Sequence, residues 1–288
     1  MNFPRRFPVS CVYFAPSKIE EALVLMQTHF PTVVAGGTDI FPAQGTTPMR
    51  RSLLDVSRID GMTGIDRQAD GSWRIGAATC WTDIVTADLP PGFAGLQAAG
   101  REVGSLQIRN AGTIGGNICN ASPAADGVPP LLTLEAEVEI ACAGATRMVP
   151  LSDFLTGVRQ TTLGSDEILV AVHIPAPPPD SVGRFEKLGG RSYLVISITM
   201  TATLIGLDEH GCINLARIAV GACSPVARRL AQLETDLIGQ RPDQVVVLPA
   251  HLKTLSPISD VRADAVYRAE AVAEQIKRAV CKAAIPHD

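Results

Sequence analysis

Apolar residues along the first third of the chain fall alternately at helical spacing and in short clusters, a rhythm that predicts helices and strands in mixed order. In the segment SKIEEALVLMQ at 17–27, Ile19, Ala22, Leu23 and Met26 share one helical face. Ser17 followed three residues later by Glu20 predicts a capping box at its start. The β-branched run Thr32, Val33, Val34 predicts a strand over 32–35. Residues 52–56 are β-rich, 66–71 read as a polar turn, and WRIGA at 73–77 alternates as a strand. A helix is expected over 79–85 with Thr79 or Thr82 as its cap, and an alanine-rich helix over 95–103.

Farther along, 131–134 is expected to be helical. Alternation of glutamate with valine and isoleucine predicts a strand at 137–141. A short strand and turn are expected over 149–154 and a well-marked strand over 167–174. The run PAPPPDSVG at 175–183 can continue neither a helix nor a central strand, so it predicts a domain junction. Beyond it, 192–207 is too rich in β-branched residues to separate helix from strand. Residues 213–222 read as a strand, 225–233 as a helix, and 260–284 as a helix capped by Asp260 with Val261, Ala265, Tyr267, Val272 and Ile276 as apolar positions.

Two segments break the rhythm. Residues 33–39, VVAGGTD, follow a β-branched run; residues 109–126, RNAGTIGGNICNASPAAD, are dense in turn formers and nearly uncharged. Adjacent Gly115 and Gly116, between Thr113 and Asn117, are expected to take φ > 0 and aim successive N–H groups at one point, a concavity suited to an anion. Neither segment continues as G-K-[ST], and neither fits G-x-G-x-x-G. Two such loops suggest the two halves of one elongated, phosphate-containing ligand held by some other fold.

The wording of the two loops, AGGTD and IRNAGTIGGNICNASPAAD, resembles the FAD-binding (medium) subunit of the molybdenum hydroxylase family, which includes xanthine dehydrogenase and carbon monoxide dehydrogenase. The segments EKLGGRSYLVISI, GACSPVARR and DVRADAVYR resemble the carboxy-terminal domain of the same subunits, so the likeness spans most of the chain. The resemblance implies an α+β fold. An FAD-binding domain over 1–176, made of subdomains at about 1–58 and 59–176, is followed by a smaller α+β domain over 183–288 with a three-stranded sheet.

The resemblance also implies the cofactor-binding set: Thr32, Val33, Val34, Ala35, Gly36, Gly37, Thr38 and Asp39 from the first loop, and Arg109, Thr113, Ile114, Gly115, Gly116, Asn117 and Asp126 from the second. Ile168, Leu169, Lys187 and Tyr193 complete it. Backbone N–H groups of Ala35 to Thr38 and of Thr113, Gly115, Gly116 and Asn117 are expected on the pyrophosphate. Asp126 is expected on ligand hydroxyls, because a carboxylate repels phosphate and accepts from O–H. For Asp39 the ligand and capping roles stand level, Arg109 is read as an anchor of its loop ahead of a contact with the phosphate region, and Ser122 as a turn residue or a ligand contact. Lys187 and Tyr193 are placed beside the flavin or over its ring.

Composition narrows the class. The chain has 288 residues, 46% hydrophobic, and a net charge of -4, which gives no electrostatic reason to expect nucleic acid or an anionic membrane. No apolar run has the length of a membrane span and the start shows no signal-peptide core, so a cytoplasmic location is expected. Seven scattered cysteines without a C-x-x-C pair read as free thiols and argue against an iron–sulfur cluster in this chain. The five histidines lie far apart, with neither H-E-x-x-H nor G-x-S-x-G, as suits a subunit whose cofactor does the chemistry.

The family implies a large molybdopterin-binding subunit that hydroxylates the substrate and a small subunit with two 2Fe-2S clusters, in a heterotrimer or its dimer. Electrons then pass to FAD on this chain and on to NAD or another acceptor, in an enzyme whose loop wording looks closest to the xanthine-dehydrogenase type. A stand-alone FAD-dependent oxidase and a flavin-free scaffold subunit stand as alternatives.

Overall fold

A computed structural model describes residues 11–191 and 195–284. Tyr193 lies outside the described residues.

The chain begins with three short parallel strands in the order Tyr13–Phe14, Leu53–Asp55, Thr32–Val34. Parallel neighbours require a crossover, and the helix Ile19–His29 supplies the first one. It buries Ala22, Leu23 and Met26, the face expected from its spacing. The capping box does not form: Lys18 is the N-cap, and the carbonyl of Ser17 instead accepts from Asp60 N–H at 2.9 Å.

Next comes a five-stranded antiparallel sheet in the order Ile65–Arg67, Trp73–Gly76, Ile168–Ile174, Glu137–Cys142, Ala145–Pro150. Ile168–Ile174 occupies its centre and is buried along nearly its whole length, which explains a sequence apolar but for the half-buried His173. Three helices, Trp81–Thr86, Ala94–Glu102 and Val128–Thr133, add Trp81, Ile84, Leu96, Leu131 and Leu132 to the same core. Neither Thr79 nor Thr82 caps the first of these, because Cys80 is the N-cap and makes no side-chain capping bond.

After the proline run the chain builds a second antiparallel sheet from Val182–Leu188, Thr199–Leu207, Ile213–Gly221 and Arg228–Arg229. Three long strands agree with the expected count, and a two-residue edge strand adds a fourth. That edge occupies part of the helix expected over 225–233; pairing with Ala219 and Val220 overrides local preference, and the helix starts only at Ala231–Asp236. The last helix, Ala265–Ala283, buries Val272, Ile276 and Val280 against this sheet.

Asp264, not Asp260, caps the last helix, its side chain accepting from Tyr267 N–H at 2.8 Å. Asp260 receives the N–H groups of Arg262 and Ala263 and pairs with the buried guanidinium of Arg268 at 2.8 Å. Val261 is fully exposed, outside the helix.

Candidate cofactor-binding site

The strand Thr32–Val34 delivers the first glycine loop, and the helix Ile40–Gln44 takes the chain away from it. Between them Gly37 has φ 68°, and a β-carbon there would meet the Phe41 ring at 2.4 Å, so glycine is required on two counts. Among the described residues, the N–H groups of Ala35, Gly36, Gly37, Thr38 and Asp39 donate to no protein acceptor. Five successive amides without internal partners are the donor set an anion needs. Asp39 stands at the N-cap of the short helix without making a side-chain capping bond.

The second segment is built differently from its expectation. Gly115 and Gly116 do not take φ > 0; they lie inside the helix Ile114–Asn120, capped by Thr113. Their amides are committed. Gly116 N–H donates to Thr113 Oγ1 at 3.0 Å, Asn117 N–H to the Thr113 carbonyl at 3.0 Å, Gly115 N–H to Ala77 at 2.9 Å and Ile114 N–H to Thr79 at 3.1 Å. The anion-facing donors therefore belong to the first loop, and the expectation that Gly115, Gly116 and Asn117 offer theirs is corrected. Gly115 is there for space: a β-carbon would sit 2.6 Å from the Ala77 carbonyl oxygen.

The two segments meet. A β-carbon on Gly36 would fall 1.7 Å from the Ala111 carbonyl oxygen, so the turn rests directly on the backbone that leads into Thr113. Between and beneath them opens a cavity of about 420 Å³. Its wall takes in Val33, Val34, Ala35, Gly36, Gly37, Thr38, Asp39, Thr113, Gly115, Gly116, Asn117, Ile168 and Leu169 from the expected set. Cys119 and Asn120, within the second segment, also line it, as do Trp81, Val103, Ile108, Leu163 and Glu167, residues without a local sequence signal for the role.

Among the described residues no lysine or arginine lines the cavity. An anion there is met by backbone dipoles rather than by a countercharge. Asn117 adds a second fitted feature: its Oδ1 is buried and has no hydrogen-bond partner, an acceptor that a ligand hydroxyl satisfies. Cys119 opens onto the recess, yet removal from bulk water pushes its thiol up to about 12. Trp81, Ile168 and Leu169 supply apolar surface. Anion donors, an orphaned acceptor and an apolar wall together fit a dinucleotide with a pyrophosphate, hydroxylated arms and flat rings.

Five expected residues lie elsewhere. Thr32 and Ile114 flank the cavity without lining it, and Ile114 is fully buried. Arg109, in the helix Leu106–Ala111, donates from Nη1 to the Arg101 carbonyl at 3.0 Å, the anchoring role expected of it. Asp126 and Lys187 face each other, Nζ to Oδ2 at 2.8 Å, with side chains 11% and 9% exposed. Ser197 Oγ donates to the other Asp126 oxygen at 3.0 Å. Burial pushes the Asp126 carboxyl up, against the opposing pull of Lys187 and Ser197. Ser122 Oγ accepts from Ala124 N–H at 3.2 Å, a turn contact.

Among the described residues no group of histidine, cysteine and carboxylate side chains gathers in a metal-binding arrangement. No helix among them is long and apolar enough to cross a membrane.

Comparison with known proteins points to the family of the chain. Residues 6–177 match the family model of the FAD binding domain in molybdopterin dehydrogenase, and residues 185–283 that of the CO dehydrogenase flavoprotein C-terminal domain. The chain is 33% identical over 231 residues to the xanthine dehydrogenase FAD-binding subunit of Escherichia coli O157:H7, covering 79% of this chain and 76% of that one. It is 30% identical over 277 residues to the nicotinate dehydrogenase FAD-subunit of Eubacterium barkeri, covering 92% and 93%. Its fold superposes on a chain of carbon monoxide dehydrogenase from Hydrogenophaga pseudoflava with a TM-score of 0.83 at 26% identity, covering 96% and 98%. The chain belongs to the FAD-binding medium subunits of the molybdenum hydroxylases, the oxidoreductase family of the molybdopterin dehydrogenases.

Proposed function

We propose that this chain relays electrons through FAD between an iron–sulfur subunit and a soluble acceptor, NAD or another, while a molybdopterin-binding large subunit selects and hydroxylates the substrate. The small subunit in this reading carries 2Fe-2S clusters, the assembly is a heterotrimer or its dimer, and its location is cytoplasmic. A relative named as a xanthine dehydrogenase subunit supports a xanthine-dehydrogenase-like enzyme. Division of the chain into 1–176, with subdomains at about 1–58 and 59–176, and 183–288 is supported by the family models, which end and begin on either side of the proline run.

The observation that carries this reading is the chemistry missing from the cavity wall. Among the described residues its titratable side chains are Asp39 at the rim, Cys119 and Glu167, and no histidine lines it. The Cys119 thiol is held neutral, and Glu167 is tied to Arg147 through two bonds. Such a wall binds and shields a redox group but offers no poised base for abstracting a substrate proton.

FAD supplies exchange of electrons between one-electron and two-electron partners. Within this reading the amides of Ala35 to Asp39 hold the pyrophosphate, each such bond to an ionised oxygen contributing about 1.5–3 kcal/mol. Asn117 Oδ1 accepts from a hydroxyl, and Trp81, Ile168 and Leu169 keep water from the rings. NADH added to the isolated chain is expected to bleach its flavin. Substrate-dependent dye reduction is expected only after the large and small subunits are added; turnover by the chain alone contradicts the reading.

A further inference from the structure

Arg147 lies on the outer strand Ala145–Pro150 opposite Ile140, and Ile140 lies opposite Leu169 on the central strand. Directly opposed residues point to one face, so the three form a cross-strand row ending in the cavity wall. Glu167 stands two residues before Leu169, on that same face. Arg147 reaches over the intervening strand to it, Nε to Oε1 at 2.9 Å and Nη2 to Oε2 at 2.7 Å.

The same guanidinium also donates to the Thr162 carbonyl at 3.1 Å, while Glu167 Oε2 accepts from Gly164 N–H at 2.7 Å. The loop carrying Leu163 and Glu167 is thereby fastened to the sheet at both ends and in its middle by one arginine–carboxylate pair. Only a planar fork makes all the Arg147 contacts together; a lysine keeps the charge but not the geometry.

We propose that Arg147 is a positioning residue of the cofactor site: acting through Glu167, it holds the wall of Leu163, Ile168 and Leu169 in the shape that FAD binds. The inference rests on the FAD reading of the cavity. Arg147 is 39% exposed, so the pair adds little to global stability. Its effect is on preorganisation, and therefore on affinity.

The test uses the 288-residue chain with Arg147→Gln, Glu167→Gln, both together, and Arg147→Lys. FAD is removed and titrated back by fluorescence, the visible circular dichroism of the bound flavin is recorded, and the apoprotein is melted. Each single Gln variant is expected to weaken FAD by about tenfold. The double variant is expected to be no worse than the poorer single, with Arg147→Lys intermediate, flavin dichroism altered and apoprotein melting nearly unchanged. Wild-type affinity and dichroism in the single variants overturn the proposal, as do additive losses in the double variant. Loss of FAD that merely follows a lowered melting point, with the dichroism of the bound flavin unaltered, overturns it too. If the wild-type chain itself fails to take up FAD, this proposal and the FAD reading fall together.

Discussion

Gly36 and Ala111 touch backbone to backbone: a β-carbon on the glycine would lie 1.7 Å from the alanine carbonyl oxygen and 2.4 Å from its carbon. This contact joins two segments far apart in sequence into one cavity rim. Neither atom it would strike is the flexible end of a side chain, so the rim has to open to admit even a methyl group.

Gly36→Ala is therefore expected to strip the chain of flavin. Overpacking of this kind costs about 1–3 kcal/mol, and here the strain falls on the loop whose amides face the anion. Flavin absorbance per polypeptide should drop to about a tenth of wild type or less, while far-ultraviolet dichroism stays native. Full flavin loading in this variant contradicts the contact.

Asn117→Ala separates a ligand contact from a packing role. Because Asn117 Oδ1 is buried without a partner, removing it leaves the apoprotein as stable as before or slightly more so. With FAD present the same change is expected to weaken binding by about tenfold, through loss of the accepted hydrogen bond. Unchanged FAD affinity would place the oxygen outside the ligand's reach.

Lys187 and Asp126 couple the second sheet to the segment that follows the cavity helix, and both side chains are close to buried. Lys187→Met alone leaves an unpaired buried carboxylate, a loss of about 3–5 kcal/mol in denaturant unfolding. Adding Asp126→Leu is expected to recover most of that. A double variant as unstable as the single one would show that packing, rather than the stranded charge, dominates.

Acid should loosen the end of the chain through Asp260. Backbone N–H donation from Arg262, together with Arg268 and Ala263 N–H, lowers its carboxyl from 3.8 to about 2. A depressed folded-state value means stability that is present above 3.8 and lost as pH falls toward 2. Asp260→Asn is expected to flatten the decline of stability in that window, measured by urea unfolding at closely spaced pH values. A decline of undiminished steepness in the variant would assign the acid sensitivity to other carboxylates.

Much of the scaffold was legible because single elements carry strong local patterns. Ile168–Ile174 is apolar but for His173 since both its faces are largely covered, and the turn after Thr32–Val34 announces itself with Gly36 and Gly37. Caps were read less well where another segment claims the capping group. Asp60 N–H donates to the backbone carbonyl of Ser17, whose helix starts one residue later with Lys18 as N-cap, and the Asp260 carboxylate is taken by Arg262 and Arg268.

The glycine pair at Gly115 and Gly116 sits in a helix rather than in the φ > 0 turn its sequence predicts. Small residues serve close packing as readily as φ > 0, and only the position of Ala77 distinguishes the two. Trp81 and Glu167 reach the cavity through the folding of the sheet and helices around it, which no local spacing records. Lys187, on the second sheet, meets Asp126 in the turn after the cavity helix, a pairing that no local spacing records.

The most direct measurement is the uptake and release of FAD by the purified 288-residue chain. Titration of flavin-free protein should restore the flavin absorption bands at one FAD per chain, with an affinity that changes little with salt, because among the described residues no lysine or arginine lines the cavity. Acid precipitation should then leave the flavin in the supernatant, since the thiol in the cavity wall, Cys119, is held neutral. A chain that takes up no FAD, or one whose colour stays in the acid pellet, contradicts a non-covalent cofactor held by the amides of Ala35 to Asp39.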